Sequence, residues 1–332
     1  MKSLALLFLV IIVITSGCTY LDSFFGQDVI QVEETTLEEG VRDVIVINDA
    51  TTIPKSPILP DQGVVLSFII ENKDERANAE NVVAELFDAP LFKSSGGALC
   101  NSASKPCQAD RCSATDNPLC TLLPGEQNMI SFDLIAPSES DLVDLETEID
   151  LNFRVSYDFT ASLLYNSFIV SMEEVKARQR AGEAVNIDVI KTPGSGPVQI
   201  DVELLGAPYI LDGYSGTFLF TVKKVSTKGV VQNSKIGVNN MVIEFPNDIV
   251  GSGGTIDGGS KFLCTPTGDV YRCTNAEEIE LYSGESTTYR IQVTKADLGG
   301  SGIPYKSFSI KAYVDYDYEM RDSLKVKVKP YD

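Results

Sequence analysis

The stretch ETEIDLNFRVSYDF, residues 146–159, decides the fold class. In it Ile149, Leu151, Phe153, Val155 and Tyr157 alternate with Asp150, Asn152, Arg154 and Ser156. A period of two marks a strand with one face in a core and one in water. A slip of one residue would bury Asp150, Asn152 and Arg154. Burying unpaired charge is costly, so the register is firmly set.

Working outward, the same alternation recurs. Val64, Leu66, Phe68 and Ile70 share one face of VVLSFIIEN, residues 64–72. NVVAELFDA, residues 81–89, predicts a third strand. At the end of the chain Leu324, Val326 and Val328 face a core, while Lys325, Lys327 and Lys329 face water. Lysines on an exposed strand discourage sheet-to-sheet pairing. Further strands are expected at 162–171, 185–190, 199–205, 217–222, 240–245, 288–293 and 308–315. Between them lie turn signals such as Pro193-Gly194 and Asp212-Gly213. The clearest helical stretch is EEVKARQRAGE, residues 173–183, which is short and highly charged.

An internal repeat organises these strands. Leu122, Gly125 and Glu126 match Leu281, Gly284 and Glu285; Val155, Tyr157 and Asp158 match Val314, Tyr316 and Asp317. Both matches fall at one offset of 159 residues. The expectation is an all-β protein of two tandem immunoglobulin-like β-sandwiches, residues 41–172 and 184–332, joined by the charged linker 173–183. Val155 and Val314 should occupy equivalent strands, with Tyr157 and Tyr316 inward near a sheet end.

The N-terminus reads as an address. Lys2 precedes an apolar run of eleven residues, 4–14. Spanning a bilayer takes roughly 20 apolar residues, so this is the length of a signal-peptide core. Thr15, Ser16 and Gly17 then lead to Cys18. This ending resembles the lipobox of secreted lipoproteins, with Thr15 where bacterial examples carry Leu or Val, and it is similar to archaeal signals. The resemblance implies removal of residues 1–17 and a lipid on Cys18, followed by a tether, 18–40. A plain N-terminal anchor helix or a soluble secreted product are the competing readings. The expected location is the outward face of the cell membrane.

Seven cysteines leave six beyond Cys18, at Cys100, Cys107, Cys112, Cys120, Cys264 and Cys273. Behind an export signal an even number in each half reads as disulfides. Cys264–Cys273 is then the pair of the second half. The other four, in the polar insert 91–121, allow three pairings. A four-thiolate zinc site would want two C-x2–4-C pairs, and only Cys107 and Cys112 have that spacing.

Composition narrows the chemistry. The chain has 27 Lys and Arg against 47 Asp and Glu, a net charge of −20, so no cationic footprint for nucleic acid is present. It has no histidine, which removes Ser-His-Asp and Cys-His catalysis. Only carboxylates remain for acid–base work. Asp315, Asp317 and Glu319 gather at a strand end and make a calcium candidate through their oxygens; Asp141, Asp144, Glu146 and Glu148 form a second acidic group. No other cofactor is expected.

Residues 54–88, a proline-bearing loop, a glycine, Val-x-Leu-x-Phe-x-Ile-x-Asn, a polar turn and Asn-Val-Val-Ala-Glu-Leu-Phe-Asp, resemble the CARDB-like and related immunoglobulin-like modules of archaeal and bacterial surface proteins. Leu123-Pro124-Gly125-Glu126 fits the same pattern. The resemblance implies seven-stranded sandwiches used as spacers or adhesion modules, without catalytic residues. The leading expectation is therefore a non-catalytic anchored surface protein, a spacer, envelope component or binding module for a surface partner. The alternatives are a calcium-dependent, ligand-presenting accessory lipoprotein and a carboxylate-based extracellular hydrolase.

Overall fold

The computed structural model describes residues 32–36, 42–94, 120–142, 146–182 and 187–330. The signal peptide, Cys18, Cys100, Cys107, Cys112 and the Cys120 side chain lie outside the described residues. The described chain is mostly β-strand, arranged in three sheets that pack on one another around a shared apolar core.

Two strands of 24 residues each, Thr147–Val170 and Tyr305–Val328, form the backbone of the molecule. They pair antiparallel along their whole length, from Tyr305 opposite Val170 to Val328 opposite Thr147. At about 3.3 Å per residue this ribbon is roughly 80 Å long. The sequence reading divided each long strand in two; the structure corrects this. Between residues 147 and 170 there is no glycine or proline, and the alternation never breaks: Phe159, Ala161, Leu163 and Tyr165 continue the buried face of Ile149 to Tyr157. For the same reason Tyr157 and Tyr316 are inward, as expected, yet sit in mid-ribbon rather than near a sheet end.

Each half repeats one pairing scheme. In the first, Ile45–Ile53 pairs with Gly63–Asn72, which pairs with Gln127–Ile135. In the second, Val198–Leu204 pairs with Gly216–Lys224, which pairs with Tyr289–Val293. Ala79–Asp88 joins the first long strand and Met241–Pro246 joins the second. Gly125 and Gly284 both take positive φ, 71° and 90°, at the matching turns, where a side chain would be strained.

The two small sheets cover one face of the ribbon, one towards each end. Phe68 stacks on Phe153 at 4.4 Å between ring centroids. Phe218 meets Tyr165 at 6.2 Å and Phe308 at 6.3 Å. Between them Tyr157 and Tyr318 meet at 5.7 Å, and burial pushes the Tyr157 phenol well above its usual pKa.

The charged stretch 173–183 carries the helix Met172–Ala181. Ser171 caps it by accepting from the Glu174 amide at 3.1 Å, Glu174 pairs with Arg178 one turn on, and Gly182 ends it with φ 69°. The chain then turns back as Ile187–Pro193 beside the first long strand, within the same sheet. Part of the expected tether, Val32–Thr36, is itself a strand, paired in parallel with Ile187–Pro193. Among the described residues no helix is long and apolar enough to cross a membrane.

Cys264 and Cys273 form a disulfide, S–S 2.04 Å, as the cysteine count predicts. They are direct cross-strand neighbours on the hairpin Phe262–Thr267 and Val270–Asn275.

Candidate functional site

The face of the ribbon away from the core carries the polar residues of both long strands. Where the two repeats meet, their matched aspartates meet as well. Asp158 is directly opposite Asp317, and Glu80 of the next strand is directly opposite Asp158. Three carboxylates thus stand in a row across three adjacent strands. Like charges in such positions destabilise a sheet. Partial relief comes from neutral donors: the Asn81 amide donates to Asp158, and Thr121 Oγ1 donates to Glu80 at 2.6 Å.

Further relief comes from a proton. Burial, followed by the hydrogen bond and the charge of Asp158, raises Asp317 from its ordinary 3.8 to about 6. One proton held between two carboxyl groups is the ordinary outcome when they cannot both ionise. A cavity of about 490 Å³ opens over the row, lined by Asn78, Glu80, Asp158, Thr160, Asp315 and Asp317 among others.

The three calcium candidates part company here. Asp315 accepts from Thr160 Oγ1 at 2.5 Å and borders the cavity. Asp317 faces Asp158. Glu319 is only 7% exposed and is held by arginines, Arg154 Nη1 at 3.3 Å and Arg321 Nε at 2.6 Å. Arg154 in turn bonds Glu85 through Nε at 2.5 Å, and Phe87 lies under both guanidinium groups. Glu319 therefore neutralises cations of the protein itself. Among the described residues no group of three or more acidic, cysteine or histidine side chains converges as a metal site.

The second acidic group is also engaged. Asp141 accepts from Ser138, Glu146 pairs with Lys327 at 3.1 Å and Glu148 with Lys325 at 3.0 Å. Asp144 lies outside the described residues. Sequence reasoning did not single out Glu80 and Asp158. The signal for Asp158 was present, because it repeats as Asp317 at the 159-residue offset.

No family model and no curated protein matches the chain. Among solved structures it is similar to a Salmonella alpha-2-macroglobulin reacted with methylamine, at 10% identity and a TM-score of 0.15 over 88% of this chain and 17% of that one. An Escherichia coli alpha-2-macroglobulin activated by porcine elastase gives 13% identity and 0.14, over 89% and 22%. The chain spans about a fifth of the length of these macroglobulins. Scores this low carry no argument about fold or function.

Proposed function

We propose that this is a non-catalytic protein, anchored at the outward face of a membrane by a lipid on Cys18, in which two immunoglobulin-like modules act as one stiff spacer. The observation that carries the reading is the unbroken ladder between Thr147–Val170 and Tyr305–Val328. A flexible joint between modules would let them swing. A ribbon of roughly 80 Å shared by both holds them in line and carries a binding surface for an envelope or surface partner at a set distance. The absence of histidine supports the non-catalytic part.

The test is cell fractionation of wild type and Cys18→Ser. The wild type should stay with membranes and be reached by protease from outside. The variant should lose its lipid by intact mass and leave the membrane after signal removal. A wild-type chain found in the cytosol, or one retaining Met1 without lipid, overturns the proposal.

A second reading is ligand presentation aided by a hard cation, which would have to draw the carboxylates of the row together, since no three of them converge as a metal site. Glu80, Asp158, Asp315 and Asp317 supply oxygen donors only, the type calcium takes. Calcium titration followed by thermal unfolding tests it: a saturable rise in Tm that D158N abolishes supports it, and an unchanged Tm removes it. The row gives less support to the hydrolase alternative. Glycosidase carboxylates stand about 5 Å or more apart, and Asp158 and Asp317 are in hydrogen-bond contact.

A further inference from the structure

We infer that the end of the ribbon marked by Val170 and Tyr305 faces the membrane, and that Leu205, Tyr214, Ile303 and Tyr305 enter the lipid interface there. The inference deepens the anchored reading above and rests on it.

The register tells the two ends apart. Val32 pairs with Ile187, and Thr36 with Lys191. Lys191 is opposite Tyr165 of the first long strand and Ile190 is opposite Asn166, so Ile187 lies further towards Val170. The strand Val32–Thr36 therefore runs inward from the Val170 end, and the chain that carries Cys18 joins the fold there. Thirteen residues, 19–31, separate Cys18 from Val32. Even fully extended they reach at most about 50 Å, well short of the ribbon's length.

That end exposes apolar side chains. Leu205 and Tyr214 are each 57% exposed, Tyr305 53% and Ile303 39%. The backbone gathers them around the strand ends. Leu205 N donates to Thr217 O, Asp212 N to Val170 O, Ala296 N to Tyr214 O, and Ser171 N to Pro304 O. The Tyr305 ring meets Phe168 at 6.2 Å. Tyrosine suits a membrane interface because its ring is apolar and its hydroxyl remains hydrated.

A net charge of −20 argues against attraction to anionic lipid, so apolar insertion is the contact this end can add to the lipid on Cys18. The far end also exposes Ile53, Leu59 and Leu91, so apolar exposure alone does not choose; the entry point of the chain does.

The chain has no tryptophan, so each tryptophan introduced is a unique reporter. Tyr214→Trp, Tyr305→Trp and Ile53→Trp are made in the full chain, extracted from membranes and reconstituted into phosphatidylcholine vesicles. Brominated phosphatidylcholine should remove most of the emission of the first two and shift it to the blue, leaving Ile53→Trp unquenched. The two reporters lie on separate elements, Tyr214 in a bend and Tyr305 at the start of a long strand, so one that perturbs its surroundings leaves the other as the measure. If the chain floats with vesicles but neither reporter is quenched, or Ile53→Trp is quenched as well, the orientation is overturned while anchoring stands. A chain that does not float overturns the anchored reading and the orientation with it.

Discussion

Asp158 and Asp317 are cross-strand neighbours, and they are also repeat equivalents, 159 residues apart. An approximate two-fold axis therefore passes between them. A carboxylate at this position meets its own copy, so one aspartate written into the repeat became a pair when the long strands paired.

The pair makes stability pH-dependent with a definite sign. The native state keeps a proton on Asp317 up to about pH 6, whereas the unfolded chain releases it near 3.8. The site's contribution is present in full below about pH 4 and is lost as pH rises through about 6. Because Asp317 is only partly buried, solvent screening reduces the effect to about 1 kcal/mol. D317N should be more stable than wild type by about that amount at pH 7, with the gap closing at pH 4. Urea denaturation at both pH values reads it; a gap independent of pH means no proton is shared.

Arg154 should matter far more than Arg321. Removing Arg154 leaves Glu85, 8% exposed, without its guanidinium, and strips Glu319 of one of two partners. R154A should cost about 3 kcal/mol, the lower end for breaking a buried pair. Arg321 is largely in solvent, and R321A should cost less than about 1 kcal/mol. Equal losses in chemical denaturation would contradict this ranking.

A core shared through one ribbon should melt as one unit. Phe153, on the ribbon beneath the first small sheet, and Phe218, on the second small sheet, are both fully buried. F153A and F218A should each cost about 3 to 5 kcal/mol. Both should lower the same single calorimetric transition. Two separate transitions, each moved by only one variant, would show that the halves unfold independently.

The Cys264–Cys273 bridge closes a short loop, with a sequence separation of nine. A loop of this size constrains the unfolded chain by about 2 to 3 kcal/mol. The double variant C264A/C273A should lose about that much in denaturation assays. Reducing agent should move the wild type by a similar amount and leave the variant unmoved.

Much of the local structure was legible in the residues. The buried faces of 64–70, 149–157 and 324–328 follow from alternation, because a strand's side-chain period is set by its own backbone. The Cys264–Cys273 pairing followed from count and export. The turns at Gly125 and Gly284 followed from a residue type that tolerates positive φ. Even the joining of 145–155 to 162–171 had a signal, an unbroken alternation free of glycine and proline.

Partner choice was not legible, because any apolar strand face is satisfied by any apolar neighbour. Nothing in residues 147–170 states that their partner is Tyr305–Val328, and only that pairing places Asp158 against Asp317. Asp315, Asp317 and Glu319, expected at a strand end, lie along one face in the middle of Tyr305–Val328, because the strand runs on without a break. Whether they act together depended on Arg154, 165 residues earlier in the chain. Its charge draws Glu319 out of the set because ion pairing follows distance in space, which only the packed sheet determines.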